Sequence, residues 1–277
     1  MAVSFNIDGN PRGPLLVCVH GLMGGPEDFN EICVPLKEHF QVAVVDMNAQ
    51  TKDRNLLSKV DHDNSARDIA DFLKKEFAQQ KPYFLGISFG GKVIYDYIEH
   101  SSDNFAGAVI TDAGPGVIQK SDFYNFITVV LPSINKSLPW PKLRDELKEK
   151  VPIRNLRSLI AQKLHYPNGP DQPAQWRSGL LELPELLVGQ RIRDQWASVE
   201  KATAPIKVLV ASENSLIASD DLAKMESSAH FVLKKIPNST HFLHVSHHDD
   251  IRRACLEFLQ PQSILGHTSS KEKGHSA

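Results

Sequence analysis

Serine is a weak nucleophile until a base takes its proton and a donor stabilises the charge it creates. One stretch of this chain carries the residue types for that chemistry, Gly86-Ile87-Ser88-Phe89-Gly90. It has the G-x-S-x-G spacing, in which a serine at a sharp strand-to-helix turn exposes its hydroxyl. The short apolar run Tyr83-Phe84-Leu85 precedes it, and the helix-like segment Lys92-Val93-Ile94-Tyr95-Asp96-Tyr97-Ile98 follows. On its own such a pentapeptide also fits an ordinary Gly/Ser turn, so its partners decide the reading.

His241 is the candidate base. It follows a strand candidate and the turn-prone segment Pro237-Asn238-Ser239-Thr240. A loop at the carboxyl end of a strand is where open α/β sheets bind ligands. A second glycine-rich turn, His20-Gly21-Leu22-Met23-Gly24-Gly25, directly follows the apolar run Leu15–Val19. Backbone N–H groups of Leu22 and Phe89 are the expected oxyanion donors, and His20 braces its own loop by hydrogen bonds. The expected chain order is serine, acid, histidine. Two carboxylates are open for the middle role. Asp112 ends the run Ala106–Ile110, and Glu213 lies in the loop Ala211-Ser212-Glu213-Asn214-Ser215.

The elements that must position these residues are legible as a pattern. Continuous apolar runs, the signature of strands buried on both faces, occur at Leu15–Val19, Val42–Val45, Ala106–Ile110 and Ile206–Val210, with a shorter one at Phe231–Leu233 and Ile236. Apolar stripes at helical spacing lie between them, namely Ala66, Ile69, Ala70, Leu73 and Phe77, then Val93, Ile94, Tyr97 and Ile98, then Ile251, Ala254, Cys255, Phe258 and Leu259. This alternation predicts a doubly wound α/β fold with a mostly parallel sheet. The stretch from about 117 to 203 breaks it. That stretch holds eight prolines from Pro132 to Pro184 and all three tryptophans, and no strand run, so it reads as a helical insertion.

These motifs resemble the α/β-hydrolase family, in its cap-bearing small-esterase form. His20-Gly21, the elbow from Gly86 to Gly91 and the loop around His241 fall in the family's order across roughly residues 3–262. The resemblance implies a core of residues 1–117 and 204–262, a helical cap at 118–203 inserted after the sixth strand, and a flexible tail at 263–277. It implies a serine hydrolase acting on a carboxylic ester, with an amide or thioester as the alternative bond, and with Ser88, His241 and Asp112 as the triad, Asp112 being favoured over Glu213 as the acid. Carbon–carbon bond hydrolysis, lyase chemistry and a non-catalytic ligand-binding role are the alternatives on the same scaffold. Three departures stand out. Asn214 occupies the place of the family's usual acid, while an acid after the sixth strand, here Asp112, occurs in some relatives. Asp46-Met47-Asn48-Ala49-Gln50 lacks the glycines usual in that turn. Few residues precede Leu15, so the usual first strand is expected to be missing.

Composition limits the partners. The chain has 277 residues, 41% of them hydrophobic, enough for a large core, and a formal net charge of -2. No field of one sign points to nucleic acid or to an anionic membrane. No run approaches the ~20 apolar residues of a membrane span, and the N-terminal stretch lacks a signal-peptide pattern. A cytoplasmic protein acting on a small apolar acyl substrate is expected, with no cofactor. Cys18, Cys33 and Cys255 read as buried thiols. The histidine run His241, His244, His247 and His248 lacks a recognised metal-ligand spacing, so no metal is expected. Phe123, Phe126, Trp140, Tyr166, Trp176 and Trp196 are candidates to line an acyl pocket or to form the insertion's core.

Overall fold

The computed structural model describes residues 3–22, 24–47, 62–118, 125–135, 137–151, 154–162, 164–176 and 193–259. Seven strands form one sheet. They are β1 (Ser4–Gly9), β2 (Leu15–Val19), β3 (Gln41–Asp46), β4 (Tyr83–Ile87), β5 (Gly107–Thr111), β8 (Ile206–Ala211) and β9 (Phe231–Ile236), in the order β1-β3-β2-β4-β5-β8-β9. Every pairing is parallel except β1 with β3. Strands β2 and β5 are buried at every residue, which is why they read as unbroken apolar runs.

Helices cover both faces, as a parallel sheet requires. Residues of α2 (His62–Glu76), α3 (Phe89–Ser101) and Met225 from α6 (Ser219–Ser227) share one core cluster with Val17, Phe84, Ile110 and Val208. On the other face α1 (Asn30–Leu36) and α7 (His248–Leu259) pack on Leu16, Cys18, Leu85, Val109 and Leu209. All three cysteines lie in this second cluster, buried as free thiols.

Two features depart from the pattern expected of the sequence. A strand, β1, precedes Leu15; it is second in the family's count, in which the strand before Asp112 is the sixth, so the family's first strand has no counterpart among the described residues. Phe5 and Ile7 alternate there with Ser4, Asn6 and Asp8, a strand period that a reading by unbroken apolar runs passes over. The proline-rich segment also contains a two-stranded antiparallel pair, β6 (Leu164–His165) and β7 (Gln175–Trp176), each too short to show a period. The same segment contributes α4 (Trp140–Lys150) and α5 (Arg154–Gln162).

That segment has a core of its own, with Leu131, Leu143, Leu147, Leu156, Ile160 and Leu164 among its members. Phe242 is buried in it and Leu22 packs against it. The segment therefore lies over the loops at the carboxyl ends of β2 and β9. Its exit and return are joined, since the Gln195 N–H donates to the Pro115 carbonyl at 2.8 Å. Among the described residues no helix is long and apolar enough to cross a membrane.

Candidate active site

Ser88 stands between the last residue of β4 and the first of α3 with φ 51° and ψ -112°. Positive φ is rare outside glycine, and such a turn persists only where its surroundings hold it. Here the Ser88 N–H donates to Thr111 O at 3.0 Å, and the Gly91 N–H to Ser88 O at 2.8 Å. The flanking glycines permit the approach. A β-carbon on Gly86 would come within 2.9 Å of the Gly91 nitrogen, and one on Gly90 within 2.7 Å of the Val19 carbonyl carbon. Helix α3 thus starts hard against the end of β2.

His241 follows β9 and is 6% exposed. The buried side chain of Ser239 fixes its loop. Ser239 Oγ donates to Ile236 O at 2.6 Å and accepts from the Ser212 N–H at 3.1 Å, tying the loop after β9 to the loop after β8. His241 Nε2 lies 2.8 Å from Ser88 Oγ, and Nδ1 lies 2.8 Å from Asp112 Oδ2. Residues 153 apart in sequence are therefore in hydrogen-bond contact.

Asp112 is fully buried at the end of β5, with φ 45°. Besides His241, its carboxylate accepts from Ala211 N–H at 2.9 Å, Ser215 Oγ–H at 2.7 Å and Leu216 N–H at 3.1 Å. Burial pushes its pKa up. The hydrogen bond and charge of His241, with the bonds from Ser215 and Ala211, outweigh this and hold the carboxyl below its ordinary value of 3.8. An ionised Asp112 accepts from Nδ1–H, which directs Nε2 at the Ser88 hydroxyl as the accepting nitrogen. The geometry is that of a serine, a base and an orienting carboxylate in line.

Glu213 is not part of this arrangement. It is exposed, and with Lys235, Pro237 and Asn238 it lines an open groove. Asn214 is also exposed and has φ 51°, a backbone asparagine tolerates better than most residues. Its place in the loop thus has a backbone reason independent of chemistry.

The His20 loop abuts the serine. A β-carbon on Gly21 would lie 3.5 Å from Ser88 Cβ, and Leu22 follows it. His20 is buried. Its Nε2 accepts from the Met47 N–H at 3.1 Å, and its Nδ1 contacts Gly21 O at 2.9 Å. An accepting Nε2 leaves the proton on Nδ1, so His20 is a neutral brace between the ends of β2 and β3, as expected. Residues 48–50 of the glycine-poor turn lie outside the described residues.

A cavity beside Ser88 and Asp112 is walled by Ala113, Val117, Ile118 and Leu216, with Lys92 and Asp221 also on its lining. Of the aromatic candidates, Phe126, Trp140 and Tyr166 pack in the insertion's own cluster. Trp196 packs instead in the sheet's core, where Lys224 stacks on its ring at 3.8 Å and Asp221 accepts from its indole at 2.8 Å. Phe123 and the side chain of Trp176 lie outside the described residues. Among the described residues no three His, Cys, Asp or Glu side chains are grouped to hold a metal ion.

Sequence reasoning missed Ser215, Ser239 and Lys92, because a hydroxyl on a buried carboxylate and side chains bonded to distant backbone leave no spacing signal. It also missed a buried pair, His62 Nδ1 with Asp96, joined by Arg193 at 3.1 Å and Gln195 at 2.7 Å. Asp96 interrupts an otherwise apolar helical run, and that was its one visible sign.

Comparison with known proteins agrees with this architecture. The sequence model of a family described as "Alpha/beta hydrolase family" matches residues 16–254. The sn-1-specific diacylglycerol lipase ABHD11 of Danio rerio is 24% identical over 265 residues, covering 92% of this chain and 81% of that protein. Among solved structures, a marine microorganism esterase superimposes with a TM-score of 0.73 at 20% identity, covering 93% of this chain and 99% of the other. E-2-(Acetamidomethylene)succinate hydrolase superimposes with a TM-score of 0.72 at 15% identity, covering 92% and 94%.

Proposed function

The chain belongs to the alpha/beta hydrolase family, and from that premise we propose that it is a serine hydrolase cleaving a carboxylic ester of an apolar acyl group through an acyl-enzyme. The observation that carries this reading is the pair of 2.8 Å contacts linking Ser88 Oγ to His241 Nε2 and His241 Nδ1 to Asp112 Oδ2. Ser88 Oγ attacks the carbonyl carbon as His241 takes its proton. Asp112 keeps the imidazole in the accepting tautomer and stabilises the cation that forms. The N–H groups of Leu22 and Phe89 receive the developing oxyanion. His241 then returns the proton to the departing alkoxide. Water, deprotonated by the same histidine, attacks the acyl-enzyme and restores Ser88.

The ester assignment is supported by the Danio rerio relative, which is named an sn-1-specific diacylglycerol lipase. The insertion over the site acts as a cap that shields the acyl-enzyme.

A fluorophosphonate probe should label the wild-type chain, and Ser88→Ala should remove all labelling along with hydrolysis of 4-nitrophenyl esters. Labelling that persists in Ser88→Ala would falsify the assignment of the nucleophile. Turnover of a β-diketone with little turnover of aryl esters would move the reading to carbon–carbon hydrolysis on the same residues.

A further inference from the structure

Lys92 and Tyr95 lie three residues apart on α3 and so share a face of the helix. Both reach the turn that leaves β5 through Asp112. Lys92 Nζ donates to the carbonyls of Pro115, at 3.1 Å, and Gly116. The Tyr95 hydroxyl donates to the carbonyl of Ala113 at 3.0 Å. Gln195 completes the arrangement, with its amide Nε2 donating to the carbonyl of Lys92 at 2.7 Å and its backbone N–H to that of Pro115.

Both side chains are almost wholly buried, Lys92 at 1% exposure and Tyr95 at 0%. Burying an ammonium is costly. Desolvation pushes the Lys92 pKa down to about 8 against the opposing charges of Asp221, Asp194 and Asp96. A methionine would fill a similar volume without that cost, so the lysine needs an account other than packing.

The turn itself supplies one. Asp112 has φ 45°, a conformation that costs roughly 1–3 kcal/mol and must be held by its surroundings. The residues after it, Ala113-Gly114-Pro115-Gly116, include two glycines and so resist bending weakly. Their carbonyls are where α3 attaches, and α3 is the helix that begins at the residue after Ser88.

We propose that Lys92 and Tyr95 are positioning residues. They fasten the Asp112 turn to the helix that Ser88 leads into and thereby set the carboxylate against His241. The inference rests on Ser88, His241 and Asp112 acting together as proposed above.

The test compares full-length wild type, Lys92→Met, Tyr95→Phe and the control Tyr97→Phe. Tyr97 lies on the same helix, but its hydroxyl donates to Asn104 O at 2.8 Å, away from the turn. The readouts are kcat and KM on 4-nitrophenyl butyrate and the low-field proton NMR signal of His241 Nδ1–H. Lys92→Met and Tyr95→Phe should each lower kcat by ~10- to 100-fold, leave KM within roughly twofold, and weaken or shift the low-field proton. Tyr97→Phe should lower thermal stability and leave both readouts alone. A folded Lys92→Met or Tyr95→Phe protein with wild-type kcat and an unchanged proton overturns the inference. So does a raised KM at constant kcat, which would make Lys92 a substrate contact on the cavity wall. If Lys92→Met does not fold, Tyr95→Phe decides alone. Wild type that neither hydrolyses the ester nor takes the fluorophosphonate would sink the hydrolase reading itself. That result is distinct from an active wild type whose variants are equally active.

Discussion

Asp112 and Glu213 are both carboxylates in loops that end neighbouring strands, and spacing along the chain does not choose between them. Space does. Asp112 is buried with four donors on its two oxygens, whereas Glu213 is exposed beside Lys235 and Asn238. Asp112→Asn should therefore lower kcat by ~10⁴-fold, because the amide no longer enforces the accepting tautomer of His241. Glu213→Gln should stay within roughly twofold, as surface changes do. Steady-state kinetics on one ester separates the two. The same carboxylate has a stability signature. Its folded pKa lies below the ordinary 3.8, so its contribution is fully present above the unfolded value and is lost as the pH falls through the folded one. Urea unfolding at several pH values should show a wild-type advantage over Asp112→Asn that is level near neutrality and shrinks below about pH 4. Ser88 and His241 were legible from residue type and chain order. Asp112 was legible as the favoured acid from its place at a strand end, but spacing left Glu213 as its rival, because Asn214, a residue its backbone explains, stands at the family's usual place.

Strands buried on both faces and helices with one apolar stripe announce themselves by period, and that made the doubly wound sheet readable. The edge strand β1, with one neighbour and little burial, shows instead a polar–apolar alternation over residues 4–8, which unbroken apolar runs do not reveal. The elbow is the element where the local rules are broken, with a left-handed serine between two glycines. Its tolerances are correspondingly small. Gly90→Ala would drive a methyl group into the Val19 carbonyl, an overpacking cost of about 1–3 kcal/mol. Because Val19 leads directly into His20-Gly21-Leu22, the displacement falls on the loop expected to bind the oxyanion. The prediction is a kcat loss larger than unfolding explains, checked by comparing ester turnover with the fraction folded in a calorimetric scan.

At the scale of the whole molecule, Asp96 is a junction. From α3 it meets His62 at the start of α2 and Arg193 and Gln195 where the insertion returns to the sheet. Residues 34 and 97 positions away in sequence converge on one buried carboxylate, a convergence that a single sequence has no means of displaying. Removing it strands several donors at once. Asp96→Ala should cost about 3 kcal/mol and lower the Tm by roughly 6–12 °C, measured by scanning calorimetry, with Asn a milder replacement. Near this junction lies the bond between Gln195 and Pro115. A chain excursion whose two ends are already pinned side by side makes no demand on its own length. Residues could be gained or lost between positions 116 and 194 without shifting a pairing of the seven-stranded sheet. Selection could then refit the molecule to a new substrate by rewriting this stretch, leaving the machinery beneath to be inherited intact.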